Sequence, residues 1–324
     1  MKLSVLDHSQ IAYGENGVDA VANTIQVAKA ADQLGYERIW FSEHHSLPVL
    51  QGASPEVLMA AVGAQTSRIR VGSGGVMMAN HSALHVAENF RMLEALYPGR
   101  IDCGLGRAGG GDQFVQSLLR GDPEGFEWQL NTLELFLHDA VKGAKAHPRV
   151  TTVPPVWLLS AGGRPDSGKL AASLGLGLAV ALFINPDAVP ECVTEYRKHF
   201  VPSAEFPEPQ VIIAFNCICS DSPDKLAQLK KVSDYFRIRR DTGNYLTYVP
   251  SPEEISQVTL TPDQMAYLDK IKNRQVVGSP EQVKEQIISR AKLYDADEVM
   301  MTMLSYDIAD KLNALRLIAA QFKL

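Results

Sequence analysis

The chain has 324 residues, 46% of them hydrophobic and 21% charged, enough to bury a large core. A net charge of −6 and a pI near 5.8, with no basic block, argue against nucleic acid as a partner and fit a soluble cytoplasmic protein. The cysteines, Cys103, Cys192, Cys217 and Cys219, show neither zinc spacing nor a Cys-x-x-Cys pair and read as reduced, and no run is apolar enough for a signal peptide or a membrane span.

Residues 3–6 read as a first strand. A helix over about 18–34 follows, with Val18, Val21, Ile25, Ala28 and Ala31 at helical spacing and Gly35 placed to stop it. The second strand, 38–41, runs straight into Glu43-His44-His45. A buried strand that delivers titratable groups at its C-terminal end is how a parallel sheet or barrel presents chemistry. Imidazole is the side chain suited to proton traffic near neutral pH. From these residues alone, an active-site pair and a loop cap with one solvated ring are equally good readings. Ser54-Pro55-Glu56 opens the next helix, to about 66, as an N-cap followed by proline. Strand three, 69–72, leads into Ser73-Gly74-Gly75-Val76, where the glycines fit either close approach of a ligand or a plain bulge. A helix over about 83–96 ends at Pro98-Gly99.

Strand four, 100–105, runs into Gly106-Arg107-Ala108-Gly109-Gly110-Gly111. Glycines leave N–H groups uncovered and a guanidinium suits phosphate, although the run matches neither the dinucleotide fingerprint nor the P-loop. A helical stretch covers about 126–141, and strand five is 155–159. The turn at 160–168 carries glycines and hydroxyls that would suit an anion, and a short helix at 169–174 follows. Strand six is 178–183, a helix covers 185–200, and strand seven is 211–219. Residues from about 221 to 274 are charged, helical in pattern and broken by Pro250, Pro252 and Pro262. This is too long for an ordinary crossover and reads as an insertion over the top of the fold. Ser279-Pro280-Glu281 starts another helix, strand eight is 298–303, and a last helix covers 307–321. Eight strands alternating with helices predict a closed (β/α)8 barrel, with every candidate residue at a C-terminal strand end.

Trp40-Phe41-Ser42-Glu43-His44-His45, Val71-Gly72-Ser73-Gly74-Gly75-Val76, Gly104-Leu105-Gly106-Arg107 and Val276-Val277-Gly278-Ser279-Pro280-Glu281 occur in this order. Together, with Asn80-His81-Ser82 before a helix, they resemble the bacterial luciferase-like flavin-dependent monooxygenases over nearly the whole chain. The resemblance implies an α/β TIM barrel forming one domain over 1–324. It also implies reduced FMN, supplied by a separate flavin reductase, which with oxygen oxidises a small organic substrate such as an aldehyde. A homodimer through the helices after strands two and three is the family expectation. The resemblance puts a non-proline cis peptide at Gly74-Gly75. It makes His44 the catalytic histidine, with His45 and Glu43 beside it, and has Arg107 meet the flavin phosphate. Gly74, Gly75, Val76 and Gly106 become flavin contacts. Relatives often carry a Gly-Ser-Ser type turn after strand five. This chain departs from it, leaving Gly162, Gly163, Arg164 and Ser167 as the candidates there.

Three other readings remain open at this point. One is a deazaflavin (F420)-dependent hydride-transfer enzyme on the same fold. Another is a non-catalytic flavin-binding subunit, against which His44, His45 and Arg107 in one chain argue. A third is a metal site from Glu43, His44, His45, His81 and His85: His81 and His85 are four apart, as on one helix face, but His81 falls in the loop before the helix and no zinc-protease motif is present, so no metal is expected. The insertion is expected to shield the site from water. Pocket volume is expected to depend on it and on Phe114, Trp128 and Phe183.

Overall fold

The computed structural model describes residues 1–122, 124–161, 165–185 and 190–324. The first half of the chain runs β1 (Lys2–Asp7), α1 (Gly17–Leu34), β2 (Arg38–Phe41), α2 (Pro55–Gly63), β3 (Arg70–Ser73), β4 (Val76–Met77), α3 (Ala83–Leu96), β5 (Ile101–Gly106), α4 (Gln113–Leu119) and α5 (Phe126–Leu137). The second half runs β6 (Val156–Ser160), α6 (Pro165–Ser173), β7 (Gly177–Ala181), α7 (Glu191–His199), β8 (Val211–Cys219), α8 (Pro223–Asp241), α9 (Pro262–Lys270), β9 (Gln275–Gly278), α10 (Pro280–Leu293), β10 (Glu298–Thr302) and α11 (Ile308–Phe322). Parallel pairing runs β1–β2–β3–β5–β6–β7–β8–β10 and back to β1, so the predicted eight-stranded barrel closes. Among the described residues no helix is long and apolar enough to cross a membrane.

Local chemistry sets the helix ends. Asn16 caps α1 with a reciprocal bond from Asp19, and Gly35 ends it in the left-handed region at φ 97°. Ser222, Thr261 and Ser279 each cap a helix whose first residue is proline. Ser54 sits in the same pattern but accepts no capping bond.

Outward-facing strand residues form the main core with the helices, while a smaller cluster fills the barrel. Leu6, Trp40, Trp157, Ile212, Ala214 and Met300 belong to that inner cluster. Below it, charged groups plug the N-terminal end. Arg38 reaches both Glu298 oxygens at 2.8 and 2.9 Å and Asp102 at 2.8 Å, and Arg70 meets Asp102 at 2.6 Å. Trp40 Nε1 donates to Asp102, and Ser4 donates to Glu298. The floor is thus closed by mutually paired ions, and the open mouth lies at the other end.

The structure departs from expectation at several places. The two short strands β4 and β9 and the short helix α4 were not anticipated. Strand six stops at Ala181, the helix expected over 126–141 ends at Leu137, and that expected over 185–200 begins at Glu191. The insertion packs through Val232, Val249 and Ile255 on Val49 and on the loops after β1 and β10. Tyr13 N donates to Val249 O at 2.9 Å, and Val249 N donates to Ile11 O at 2.8 Å. These loops stand at the C-terminal rim, so the insertion sits at the mouth end of the barrel beside β1, β2 and β10, and none of its described residues lines the cavity.

Candidate active site

A cavity of about 390 Å³ opens at the C-terminal ends of the strands. Every strand of the ring, or the loop that follows it, contributes: Leu6 and His8, Trp40 and His44, Gly74, Gly106 and Arg107, Ser160, Ala181 and Phe183, Ala214, and Met300. The wall is mostly apolar with a few polar groups, the usual make-up of a small-molecule site. Of the residues singled out in the sequence, His44, Gly74, Gly106, Arg107 and Ser167 line it. The cis peptide expected at Gly74-Gly75 is present. Gly162, Gly163 and Arg164 lie outside the described residues.

Glu43, His45, Gly75 and Val76 do not face this cavity. Glu43 is buried behind the wall, where Oε1 meets His45 Nε2 at 2.7 Å and His81 Nε2 at 2.8 Å, and Oε2 accepts from Met77 N at 2.8 Å. Burial pushes the Glu43 carboxyl upward, but the hydrogen bond and charge of His81, then Met77 N–H and His45, hold it below its ordinary range. His81 is raised, first by its bond to that carboxylate. Glu43 is thus a tie between the loop after β2 and the segment after β3. Gly75 packs on the β5 backbone, where a Cβ would come within 2.8 Å of Gly104 O. Val76 is fully buried in the core.

The glycine run after β5 has a role the sequence did not suggest. Gly110, at φ 72°, accepts from His45 N at 2.8 Å, and Asn80 Nδ2 donates to Gly109 O at 3.1 Å. The loop is folded back onto the histidine segment, and only its first residues reach the cavity. Arg107 is half-exposed, lies 5.0 Å over the Phe126 ring and pairs with exposed Glu127 at 3.3 Å.

Sequence reasoning missed His8. Its Nδ1 lies 2.8 Å from Ser42 Oγ, which in turn lies 3.0 Å from His44 Nδ1. The imidazole centroids are 5.6 Å apart, and His8 meets Phe183 edge to face at 6.0 Å. Burial, then the neighbouring His44, push His8 down to about 3, and burial pushes His44 down to about 4. Both rings are neutral at pH near 7 and can therefore donate and accept. The signal along the chain is only that His8 follows the end of the first strand; the structure pairs Asp7 with Phe41 across β1–β2, which sets the next residues, His8 and Ser42, side by side. Ser160 Oγ is also buried at the cavity without an ordinary partner, facing only the weakly bonding Cys192 thiol. Phe183 lines the cavity as expected, whereas Phe114 and Trp128 are 70% and 67% exposed and do not. Among the described residues no cluster of His, Cys, Asp or Glu could hold a metal ion.

Known proteins share this sequence pattern and fold. A solved structure described as apo-MsnO8 superposes with a TM-score of 0.92 at 34% identity, covering 100% of this chain and 98% of the other. The oxygenating constituent of 3,6-diketocamphane monooxygenase from Pseudomonas putida, solved in complex with FMN, shares the fold with a TM-score of 0.72 at 17% identity, covering 99% and 97%. The uncharacterized protein YwcH of Bacillus subtilis is 38% identical over 99% of both chains. The model of the luciferase-like monooxygenases matches residues 1–296, and with a parallel barrel, a cavity at its C-terminal mouth and a histidine and an arginine on the rim, this chain belongs to the luciferase-like monooxygenase family.

Proposed function

We propose that the chain is a flavin-dependent monooxygenase that takes reduced FMN from a separate reductase and, with dioxygen, oxidises a small organic substrate. The observation that carries this reading is the convergence of His44 and Arg107, from loops after β2 and β5, on one apolar cavity. The residues fit a flavin. Gly74 and Gly106 leave the wall without side chains, and a Cβ on Gly74 would come within 2.6 Å of Leu6 Cδ1. Arg107 with Ser167 offers a cation and a donor for a phosphate. When bound, reduced FMN supplies the electrons with which dioxygen is activated.

The chain's own residues divide the remaining work. The wall of Leu6, Trp40, Leu158, Phe183 and Met300 excludes water from the reacting centre. Arg107 turns from Glu127 to the phosphate. Leaving an exposed partner of this kind costs less than about 1 kcal/mol. Neutral His44 holds or moves a proton at Nε2, its Nδ1 being engaged by Ser42. Glu43 and His45 position the loop that carries His44, and Gly75 and Val76 shape the backbone beside it. Val57, Met92 and Leu96, exposed on α2 and α3, supply the apolar face of a homodimer.

Titration with FMN of the wild type and Arg107→Ala tests the reading. Loss of the charged contact should weaken binding by roughly 1.5–3 kcal/mol. An unchanged dissociation constant would remove Arg107 from the site, and failure of the wild type to bind FMN would reject the cofactor. His44→Ala should keep FMN and lose substrate oxidation.

A further inference from the structure

We infer that His8, Ser42 and His44 form a hydroxyl-bridged proton relay at the cavity wall. Both histidines line the cavity, and Ser42, 2% exposed, lies between their Nδ1 atoms at 2.8 and 3.0 Å. Neither Nε2 has a hydrogen-bond partner among the described residues, which leaves both ring ends to the cavity's contents.

The chemistry follows from one hydrogen. A serine hydroxyl carries a single proton, so it donates to one Nδ1 and must accept from an N–H at the other. Two neutral rings that both keep their bonds to Ser42 therefore hold opposite tautomers. One presents an Nε2–H to the cavity, and the other presents a bare Nε2. Burial keeps both rings neutral; His44, Lys311 and Arg240 act with it on His8 and His45 acts with it on His44, while Asp7 opposes it on His8 and Glu43 on His44.

The unit can invert with every proton accounted for. His44 Nε2–H releases its proton to an acceptor in the cavity. Ser42 Oγ–H passes its proton to His44 Nδ1, and His8 Nδ1–H passes its proton to Ser42 Oγ. His8 Nε2 takes a proton from water or a hydroxyl group in the cavity. One proton leaves at His44, one enters at His8, and no charge is left on either ring. The reverse sequence resets the relay. His8 thereby becomes a proton-carrying residue of the site, and Ser42 the residue that sets which proton His44 shows. The structure of this unit stands apart from the cofactor, and only its use in turnover rests on the flavin reading.

A scaffold that merely ties two loops needs neither ring nitrogen to be protonated in a particular pattern, so the ring spectra discriminate. Nitrogen-15 spectra of histidine-labelled, ligand-free protein near neutral pH would be recorded, with the two rings assigned by signal loss in His8→Gln and His44→Gln. We expect one ring protonated at Nδ1 and the other at Nε2, and we expect this complementarity to be lost in Ser42→Ala. The same tautomer in both rings, a cationic ring, or complementarity that survives without Ser42 would overturn the relay. The second arm follows reoxidation of enzyme-bound reduced FMN by dioxygen, read from flavin absorbance, which needs no organic substrate. Glutamine at position 8 keeps a hydrogen bond to Ser42 but cannot pass a proton. His8→Gln and Ser42→Ala should slow the step by about a hundredfold, measured at saturating FMN, the lower end of the range for a lost proton-transfer group. Unchanged rates in both would also overturn it. A wild type that binds no FMN would sink the flavin reading alone, and the ring spectra would still decide the relay.

Discussion

Replacing His8 by glutamine should make the protein less sensitive to acid. Burial, then His44, hold the His8 imidazole down to about 3 from its ordinary 6.5. The unfolded chain takes up that proton near the ordinary value. Between those two values the unfolded state binds a proton that the native state excludes, so stability falls as pH falls. The contribution of His8 is close to zero at neutral pH and grows to about 1 kcal/mol at about pH 5.5, one unit below the unfolded value. His44, Asp7, Lys311 and Arg240 are the groups acting on His8. The raised His81 and His138, and lowered carboxylates such as Asp102, are present in both proteins and drop out of the difference. Urea denaturation at about pH 7 and about pH 5.5 gives four stabilities. The wild type should lose about 1 kcal/mol more than His8→Gln between the two conditions. Identical losses would mean that native His8 takes up its proton freely, and the case for a neutral pair would fail.

Other perturbations probe the scaffold and the rim. Arg38→Met strips Asp102 and Glu298 of their shared partner and should destabilise by about 3–5 kcal/mol in urea denaturation. A loss under about 1 kcal/mol would show that the paired floor is not what closes the barrel. Glu43→Gln removes the charge that His81, His45 and Met77 N–H converge on and should cost roughly 1.5–3 kcal/mol. In the same variant the His81 ring should titrate lower than in the wild type, followed by its ring proton signal, and an unmoved midpoint would break the link to Glu43. Glu127→Ala frees Arg107 and should tighten FMN binding by about twofold, the worth of an exposed pair. Weaker binding would place Glu127, rather than Arg107 alone, among the ligand's contacts.

Much of the fold was legible because its causes are local. Strands 38–41 and 211–219 and the helix 83–96 begin and end where the sequence put them. Apolar periodicity, a serine cap and a proline–glycine stop act within a few residues of where they are read. The short elements failed for the same reason inverted. The strand β4 holds two residues, too few for a period, and α4 follows a glycine run that reads as loop, while β9, as short as β2, pairs only with β8 and falls outside the alternation of the ring.

By itself the sequence determined the alternation that closes a barrel, and it named His44 and Arg107, because adjacent titratable groups at a strand end are visible along the chain. Only the tertiary structure decided which of those groups share a space. Glu43 and His45 lie next to His44 in sequence yet face away from the cavity, since neighbouring residues leaving a strand point to different sides. His8 lies far from His44 in sequence yet shares a hydroxyl with it, because strand register, which involves two distant segments at once, sets Asp7 against Phe41.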